Sequence, residues 1–502
     1  MHVLRKALPL LVCLALASCS IGQASFTRIE IPNIIFILTD DMAVGDLQYM
    51  PHTLELLGER GAAFDNFFVS ISLCCPSRTS ILRGQYAHNT KVTDNELPGG
   101  GFAKVYELGL EESMFPVWLQ EGGYHTGMFG KYLNLFPFAD DRLYIPPGWS
   151  EWYSPADGDP YSEYNYTLNE NGVLVEYGDR PEDYGADVYA AKTIRFIQQS
   201  VEQDQPFFAF VSPYAPHKPN NPAPRHIGMF SDLELPRPPS FNEPDLRDKL
   251  ETFLWKPEMK EKDIERYEIQ YRLRIESLQA VDEMVAGIFS TLESLGELDN
   301  TYIFFTSDNG FHIGEHRLPP GKNTPYEEDI RVPFLVFGPG IKAGMHVDEL
   351  AGNIDIASTF ADLAGVDIPD FVDGRSLVPL LLNERVDEWR QAYLLQRAKR
   401  SQPAPESDDE TASAPPSGLI ETPDSSFDDV PLMYVGLRTD RYTYVEFDTG
   451  KVHIYDLKND PYQLENFANT ADPALLERLH LWLEELKSCS GENCRAIDAN
   501  PP

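Results

Sequence analysis

One apolar stretch of the chain reads Asn33-Ile34-Ile35-Phe36-Ile37-Leu38-Thr39-Asp40-Asp41 and ends in two carboxylates. An apolar run without alternation favours a β-strand buried on both faces, as in a parallel sheet. In open parallel sheets, functional residues lie just beyond the carboxyl ends of the strands, where Asp40 and Asp41 stand. A helix cap or a turn is the other explanation of an Asp-Asp pair.

A second stretch ends in a similar way and reads Tyr302-Ile303-Phe304-Phe305-Thr306-Ser307-Asp308-Asn309-Gly310. Taken alone, its Asn-Gly ending could be a hairpin turn. Together, the two strand ends offer three carboxylates and one amide oxygen. These hard ligands suit Ca²⁺ or Mg²⁺ rather than Zn²⁺.

The remaining pattern alternates strands with helices. Apolar runs at 207–211 and 333–337 are typical of buried strands. Apolar residues recur at steps of three and four from Leu278 to Leu295, which predicts a helix with one face on the sheet that ends at Gly296. We interpret this helix as scaffold, and the alternation predicts an α/β, doubly wound domain with a mostly parallel sheet.

A cysteine motif reads Cys74-Cys75-Pro76-Ser77-Arg78-Thr79-Ser80-Ile81-Leu82-Arg83-Gly84. Proline pushes Cys75 toward extended geometry, so we expect Ser77 and Arg78 at the start of a helix. The side chain at Cys74 would then face a helix N-terminus and a guanidinium, which together can hold an oxyanion. A buried or disulfide-bonded cysteine pair is the other interpretation.

The motif C-x-P-S-R-x-x-x-L-x-G resembles the signature of the type I, formylglycine-dependent sulfatases, and the resemblance runs from about Asn33 to the C-terminus. In that family the first cysteine is oxidised to formylglycine, whose hydrate is the nucleophile, so Cys74 is implied as the modified residue. Arg83 replaces the usual threonine, which we expect to be harmless. Within the family, the resemblance is closest to the N-acetylglucosamine-6-sulfatases and the heparan endosulfatases.

The resemblance also implies a metal site and a set of catalytic side chains. The cation would be Ca²⁺, with Mg²⁺ as the other option, and its ligands would be Asp40, Asp41, Asp308, Asn309 and the formylglycine at Cys74. The side chains implied in binding and cleaving the sulfate ester are Cys74, Arg78, Lys131, Lys322 and His217. His217 would protonate the leaving alcohol, and we expect its flanking prolines to hold its loop extended.

Several positions leave the assignment open. Many sulfatases have a histidine where this chain has Leu133, so what fills that role is undecided, with Asn134 as one option. His312 and His316 are weaker candidates for substrate contacts. Without the family, Lys131 would read as a solvated lysine and His217 could equally be structural.

The resemblance implies an alkaline phosphatase/sulfatase-like fold with a smaller C-terminal α+β subdomain. We expect a catalytic domain at 31–395 and the subdomain at 430–502. Between them, residues 401–429 are acidic, rich in Pro and Ser and without Lys or Arg, which is typical of a disordered loop. Cys489 and Cys494 predict a disulfide clip rather than a metal site.

Residues 1–18 read as a signal peptide, since the apolar run after Arg5 and Lys6 is too short to span a bilayer. The end of this segment resembles a bacterial lipobox, which implies an exported cell-envelope lipoprotein with lipid on Cys19. Ordinary signal cleavage is the alternative. The formal net charge of -38 argues against binding nucleic acid or anionic lipid. A sulfated substrate would therefore need positive charge within the site itself.

The resemblance implies a sulfatase that hydrolyses sulfate esters of sugars, above all 6-O-sulfated N-acetylglucosamine or a related polysaccharide. Its implied partners are that substrate and a formylglycine-generating enzyme, and membrane contact would be through the lipid anchor alone. Two other functions remain open. The same site could cleave phosphodiesters or phosphonates, or a non-catalytic surface protein could use it to bind sulfated glycans.

Overall fold

The computed structural model describes residues 31–249, 256–398 and 433–502. The predicted signal segment, Cys19 and the acidic stretch 401–429 lie outside the described residues. Within them, no helix has the length and apolar character needed to cross a membrane.

The main sheet has ten strands and is mostly parallel at its centre. Its strands are β1 (Asn33–Thr39), β2 (Ala62–Phe64), β4 (His125–Gly130), β5 (Glu151–Gly158), β6 (Tyr166–Glu170), β7 (Val173–Tyr177), β8 (Phe207–Ser212), β9 (Thr301–Ser307), β10 (Phe334–Phe337) and β11 (Met345–Val347). Their spatial order is β11-β2-β10-β9-β1-β8-β4-β5-β6-β7. Phe67–Phe68 (β3) and Ala351–Gly352 (β12) form a separate two-stranded sheet.

Strand β1 lies in the middle of the sheet, parallel to both of its neighbours, β8 and β9. All seven of its residues are buried. Ile34 and Phe36 pack into the apolar core on one face, and Ile35 and Ile37 pack into the core on the other. The continuous apolar run therefore predicted a strand covered by helices on both sides, and the doubly wound α/β fold is confirmed.

The register brings the carboxyl ends of four strands to one edge. Thr39 of β1 pairs with Ser307 of β9, and Gly130 of β4 pairs with Ser212 of β8. The segments that follow these strands therefore start side by side.

The longer helices are α1 (Cys74–Arg83), α2 (Gly101–Glu107), α3 (Phe115–Glu121), α4 (Gly185–Glu202), α5 (Glu261–Leu295), α6 (Asp355–Ala364), α7 (Pro473–Leu486) and α8 (Glu492–Ala499). Helix α5 has 35 residues and starts well before Leu278, where we expected it to begin. The buried positions of its first half include Tyr267, Tyr271 and Arg274, which hide the apolar period. Gly296 ends it in a left-handed conformation, with φ of 76°.

A second, four-stranded antiparallel sheet consists of β13 (Ala392–Arg397), β14 (Tyr434–Thr439), β15 (Tyr442–Phe447) and β16 (Val452–Asp456). Its first strand comes from the segment before residue 400, on the N-terminal side of the predicted linker. Cys489, which follows α7, and Cys494, which lies in α8, form a disulfide with a Cα–Cα distance of 4.9 Å. The division of the chain into domains at 395 and 430 stays a prediction.

Candidate active site

The ends of β1 and β9 meet as the two sequence stretches predict. The Asp308 N–H donates to the Thr39 carbonyl at 3.1 Å, and the Asp41 N–H donates to Asp308 Oδ1 at 3.1 Å. Asn309 Nδ2 donates to Asp41 Oδ1 at 2.7 Å. Asp40, which precedes Asp41, is buried with them. The four predicted metal ligands from the strand ends therefore share one buried cluster.

Asp41 has a left-handed backbone, with φ of 67°. For a residue with a Cβ this conformation costs about 1–2 kcal/mol, so the surroundings must enforce it. The Asp41 N–H is held by Asp308, and the next N–H, that of Met42, donates to Ser307 Oγ at 2.8 Å. The end of β9 thus fixes the backbone at the end of β1.

Cys74 is the first residue of helix α1, three residues earlier than the start that we expected at Ser77. Pro76 is compatible with this start because the N–H groups of a first helical turn have no partner within the helix. Cys74 Sγ lies 3.6 Å from Asp40 Oδ1 and 2.7 Å from Lys322 Nζ. Neither Cys74 nor the buried Cys75 is in a disulfide.

Three buried cations surround Cys74, each bonded to one of the strand-end carboxylates. Arg78 Nε donates to Asp308 Oδ2 at 2.7 Å. Lys131, which follows β4, donates to Asp40 Oδ2 at 2.6 Å. The Lys322 Nζ donates to Asp41 Oδ1 at 2.5 Å. The structure therefore brings together all three cations that the sequence analysis selected.

His217 joins this cluster from the loop after β8. Its Nε2 lies 3.5 Å from Asp41 Oδ2, and its Nδ1 lies 2.7 Å from the Lys218 carbonyl. Since a carbonyl only accepts, Nδ1 carries a proton and Nε2 faces Asp41. The loop is not extended as we expected. It forms two turns, in which the His217 N–H donates to the Tyr214 carbonyl and the Asn220 N–H to the His217 carbonyl.

The protonation of the cluster follows from burial and from these charges. Burial raises the pKa of the Cys74 thiol well above its ordinary value, although Lys131 and Lys322 act in the opposite direction. Burial also raises the pKa of Asp40, but the charges of Lys131 and its neighbouring cations outweigh burial and hold that pKa well below its usual range. The pKa of Asp308 is raised by burial and by the charge of Asp40, against the lowering effect of Arg78.

The cluster fits a hard divalent cation. Ligand atoms of Asp40, Asp41, Cys74 and His217 lie within 4.8 Å of one another. Asn309 Oδ1 is buried and accepts no hydrogen bond from any residue in the described ranges. An amide oxygen left in this state beside carboxylates is a suitable ligand for Ca²⁺ or Mg²⁺.

The residues whose roles the sequence leaves undecided lie around this cluster. Leu133 is a core side chain, and the Asn134 carbonyl accepts from the Phe102 N–H at 2.8 Å. His312 Nδ1 lies 2.8 Å from Asp329 Oδ1, and His316 Nδ1 lies 2.6 Å from Glu243 Oε2. These carboxylates hold the two histidines in place.

Arg83 has a local structural role. Its guanidinium donates to the carbonyls of Leu110 and Ser113 at 3.1 and 2.9 Å. It also lies over the ring of Phe371, with 3.9 Å between the guanidinium carbon and the ring centroid. These contacts explain how the chain accommodates arginine here.

The sequence analysis missed two serines that orient the charged groups. Ser77 Oγ donates to the Asp308 carbonyl at 2.5 Å, and Ser212 Oγ accepts from Arg78 Nη1 at 2.8 Å. Ser212 is the last residue of β8, so the rule that led to Asp40 could also have found it. Arg274 was missed as well, since it lies in the part of helix α5 that precedes the predicted scaffold helix, Leu278 to Leu295.

The buried carboxylates and cations at the carboxyl edge of the doubly wound sheet define an α/β protein with a site suited to an anionic ester. The sequence model of the family described as Sulfatase matches residues 32–366. The chain belongs to this family and is a sulfuric ester hydrolase.

Individual relatives agree with this assignment. The chain is 37% identical to the N-acetylglucosamine-6-sulfatase of Homo sapiens over 97% of this chain and 90% of that protein. It is 40% identical to the extracellular sulfatase SULF-1 homolog of Drosophila melanogaster, over 74% of this chain but only 34% of that relative. A solved structure in complex with its substrate, D-glucosamine-2-N,6-O-disulfate, is similar with a TM-score of 0.72 and 26% identity, covering 94% of this chain and 99% of that one.

Proposed function

We propose that the protein hydrolyses sulfate esters of sugars, with 6-O-sulfated N-acetylglucosamine as the sugar and a formylglycine made from Cys74 as the nucleophile. The observation that carries this proposal is the position of Cys74 Sγ at the start of helix α1, 3.6 Å from Asp40 Oδ1 and 2.7 Å from Lys322 Nζ. The sugar is inferred from the names of the relatives and from the glucosamine disulfate of the similar structure.

The formylglycine, once hydrated, would supply a hydroxyl that attacks sulfur and a second hydroxyl whose deprotonation releases sulfate. Asp40, Asp41, Asp308 and Asn309 would hold a Ca²⁺ ion, which would lower the pKa of the attacking hydroxyl and neutralise sulfate charge. The protein's own side chains would bind the sulfate and protonate the leaving group.

Arg78, Lys131 and Lys322 would bind the oxygens of the sulfate and stabilise the charge that builds up in the transition state. Each of them is at most 2% exposed. They offset the three carboxylates of the cluster, so the site gains net positive charge only with the divalent cation. We therefore expect sulfate binding to depend on the cation, in a protein whose overall charge is -38.

His217 would donate a proton to the departing sugar oxygen. The Lys218 carbonyl accepts from Nδ1, which leaves Nε2 as the nitrogen that faces the cluster. A sugar alkoxide is a poor leaving group, so protonation by a side chain within hydrogen-bond reach is worth about 10²–10⁴-fold in rate.

The test is sulfate release from N-acetylglucosamine-6-sulfate saccharides, compared with an aryl sulfate, a phosphate diester and a phosphonate ester. The protein is coexpressed with a formylglycine-generating enzyme, conversion of residue 74 is checked by peptide mass, and Cys74→Ala is the control. We expect sugar-sulfate release that needs Ca²⁺ and is absent from the control.

Other outcomes would select the other functions. Faster turnover of the phosphorus esters would favour a phosphodiesterase or phosphonate hydrolase. Cleavage of the aryl sulfate alone would contradict the proposed sugar. No turnover by verified converted protein, with sulfated glycans still bound, would favour a non-catalytic binding protein.

We further propose that the protein is exported and lipid-anchored at Cys19, as the lipobox-like sequence suggests. Two acyl chains are needed for stable anchoring, and a lipoprotein N-terminus would supply them. Cys19→Ala should move the protein from the detergent phase to the aqueous phase on phase separation. Unchanged partition would contradict the anchor.

A further inference from the structure

Arg274 is a buried arginine of helix α5 that contacts three of the loops forming the candidate site. We propose that Arg274 is a positioning residue that fixes the metal ligand Asp41 and the loop of the proton donor His217 relative to each other. This inference rests on the proposed function, since it assigns a role toward its cation and its acid.

The contacts reach each loop directly. Arg274 Nη2 donates to the Asp41 carbonyl at 2.6 Å, after β1. Its Nη1 lies 3.4 Å from the carbonyl of Pro216, the residue before His217. The guanidinium carbon lies 4.2 Å from the ring centroid of Phe311, two residues beyond Asn309. One side chain therefore touches the segments that follow β1, β8 and β9.

The environment of Arg274 excludes a solvated role. The residue is 1% exposed, and its charge is balanced by Asp46, whose Oδ2 accepts from Nη2 at 3.0 Å. Asp46 also accepts from the Ala43 N–H at 3.1 Å, so the ion pair is tied to the turn that follows Asp41. A hydrophobic pair at these positions could pack as well but would give no directed bond to the Asp41 carbonyl.

The bond to the Asp41 carbonyl matters because of the backbone at that residue. Asp41 has φ of 67°, a conformation that persists only when its surroundings enforce it. The Asp41 N–H is fixed by Asp308, and its carbonyl is fixed by Arg274. Without Arg274, the peptide after Asp41 keeps only the bond from the Met42 N–H to Ser307, and the Asp41 carboxylate is held less firmly at the cation.

The planar fork of arginine is essential to this role. Arg274 uses separate nitrogens for the Asp41 and Pro216 carbonyls, whereas the single ammonium of a lysine could reach only one of these loops well. Arg274→Lys keeps the charge and loses the fork, so it separates positioning from electrostatics. Arg274→Met also removes the charge, and by Coulomb attraction alone this loss would tighten the binding of a cation.

The experiment titrates Ca²⁺ into chelator-stripped, converted protein by calorimetry, for wild type, Arg274→Lys and Arg274→Met. We expect the Kd to rise about 10–100-fold in the methionine variant, against the electrostatic trend, and by an intermediate factor in the lysine variant. A double variant, Arg274→Met with Asp46→Asn, avoids an unpaired buried carboxylate if the single variant does not fold. Unchanged or tighter Ca²⁺ binding by folded variants would overturn the proposal.

A kinetic readout separates positioning of His217 from general damage. We expect kcat to fall roughly tenfold more on the sugar sulfate than on an aryl sulfate, since phenolate leaves without a proton donor. Arg390→Met, which removes another buried arginine, is the matched control and should lower Tm while leaving both kcat values unchanged. Equal losses on the two substrates would contradict the role toward His217. Because the Ca²⁺ titration needs no turnover, it tests Arg274 even if the proposed substrate is wrong.

Discussion

Two buried ionic clusters in this protein use the same residue types for different purposes. In the candidate site, Arg78 is paired with Asp308 at 2.7 Å, and both side chains are 0% exposed. In the second cluster, Arg390 is paired with Asp355 and Asp498 at 2.5 and 2.7 Å, and is also 0% exposed. We call this second cluster the Arg390 network.

The two clusters differ in whether the polar atoms of their arginine and carboxylate groups all have hydrogen-bond partners within the protein. In the Arg390 network, Nε, Nη1 and Nη2 of Arg390 all donate to carboxylate oxygens. The other acceptor positions of Asp355 are taken by the N–H groups of Gly352 and Arg375. Each nitrogen of the Arg390 guanidinium therefore donates a hydrogen bond, and every oxygen of its two carboxylates is engaged, with Asp498 Oδ1 accepting from Arg375.

In the candidate site, buried polar atoms remain. Arg78 Nη2 donates to no residue that the structure describes, and Asn309 Oδ1 accepts from none. A thiol with a raised pKa stands among three cations, and an aspartate is held in a left-handed conformation. Buried polar groups without partners cost free energy, so an arginine nitrogen and an amide oxygen in this state beside the strand-end carboxylates indicate a place for a ligand. A saturated cluster stabilises the fold, whereas an unsaturated one is ready to bind.

Replacing Arg78 tests the comparison with the largest expected effect. Arg78→Met should lower kcat for sulfate release by about 10³-fold, since the loss of one donor to transition-state charge costs 10²–10³-fold or more. It should also destabilise the protein, because Asp308 loses its buried partner. The check is kcat per folded protein, with the folded fraction measured by circular dichroism. A folded variant with near wild-type kcat would show that Arg78 does not stabilise the transition state.

Arg390→Met gives the matched result for the saturated cluster. Breaking a buried ion pair on one side costs about 3–5 kcal/mol, because Asp355 remains buried without its cation and Asp498 keeps only Arg375. We expect this loss in the free energy of unfolding by urea, with kcat of the folded fraction unchanged. A fall in kcat as large as that of Arg78→Met would abolish the distinction between the two clusters.

Glu111 provides a third kind of buried charge, a carboxyl held by hydroxyls. It accepts from Tyr132 and Tyr144 at 3.0 and 3.1 Å. Burial raises the pKa of Glu111 to about 7, from 4.5. The stability linked to this shift is fully present below about pH 4.5 and is lost as the pH rises through 7, because the folded state then holds a buried charge. The difference corresponds to about 3 kcal/mol.

Glu111→Gln removes the charge and keeps the shape: its amide oxygen can accept from one tyrosine, and its NH2 group can donate to the hydroxyl oxygen of the other. Relative to wild type, it should gain up to about 3 kcal/mol in free energy of unfolding at pH 8 and nearly nothing at pH 4.5. Urea denaturation at the two pH values measures the difference. An equal change at both pH values would show that the carboxyl does not titrate as described.

Much of the fold and of the candidate site could be predicted from the sequence, for one physical reason. A continuous apolar run such as Asn33–Leu38 reports burial on both faces, and the residue after such a run is placed by the sheet itself. Asp40 and Asp308 were found by that rule, while Cys74, Lys131 and Lys322 needed the family resemblance. No local pattern fixes the position of Lys322, since it depends on how its loop folds back on the strand ends.

Arg274 and the Arg390 network escaped prediction because their partners are distant in the chain. Arg274 bonds to Asp41, 233 residues away, and Arg390 bonds to Asp498, 108 residues away. A single charged residue within a helical pattern gives no sign of which carbonyl it meets. The start of helix α5 was missed for a related reason, since tyrosines and an arginine occupy the buried positions of its first half.

Removal of the cation gives the smallest expected effect and separates the two clusters without a mutation in the Arg390 network. A ligand that binds only the folded state stabilises it by about 2.7 kcal/mol when its free concentration is 100 times its Kd. Adding excess chelator to the converted wild type at that Ca²⁺ concentration should therefore lower its free energy of unfolding by the same amount. Asn309→Leu removes the amide oxygen that has no partner among the described residues and should lose most of this Ca²⁺ effect. Arg390→Met should retain the full Ca²⁺ effect, although its free energy of unfolding is lower with and without Ca²⁺, since every carboxylate oxygen of its network is already engaged by the protein.

A Ca²⁺ effect lost in Arg390→Met and kept in Asn309→Leu would place the cation in the Arg390 network and not in the candidate site. An effect lost in both would mean that the two clusters are coupled through the fold.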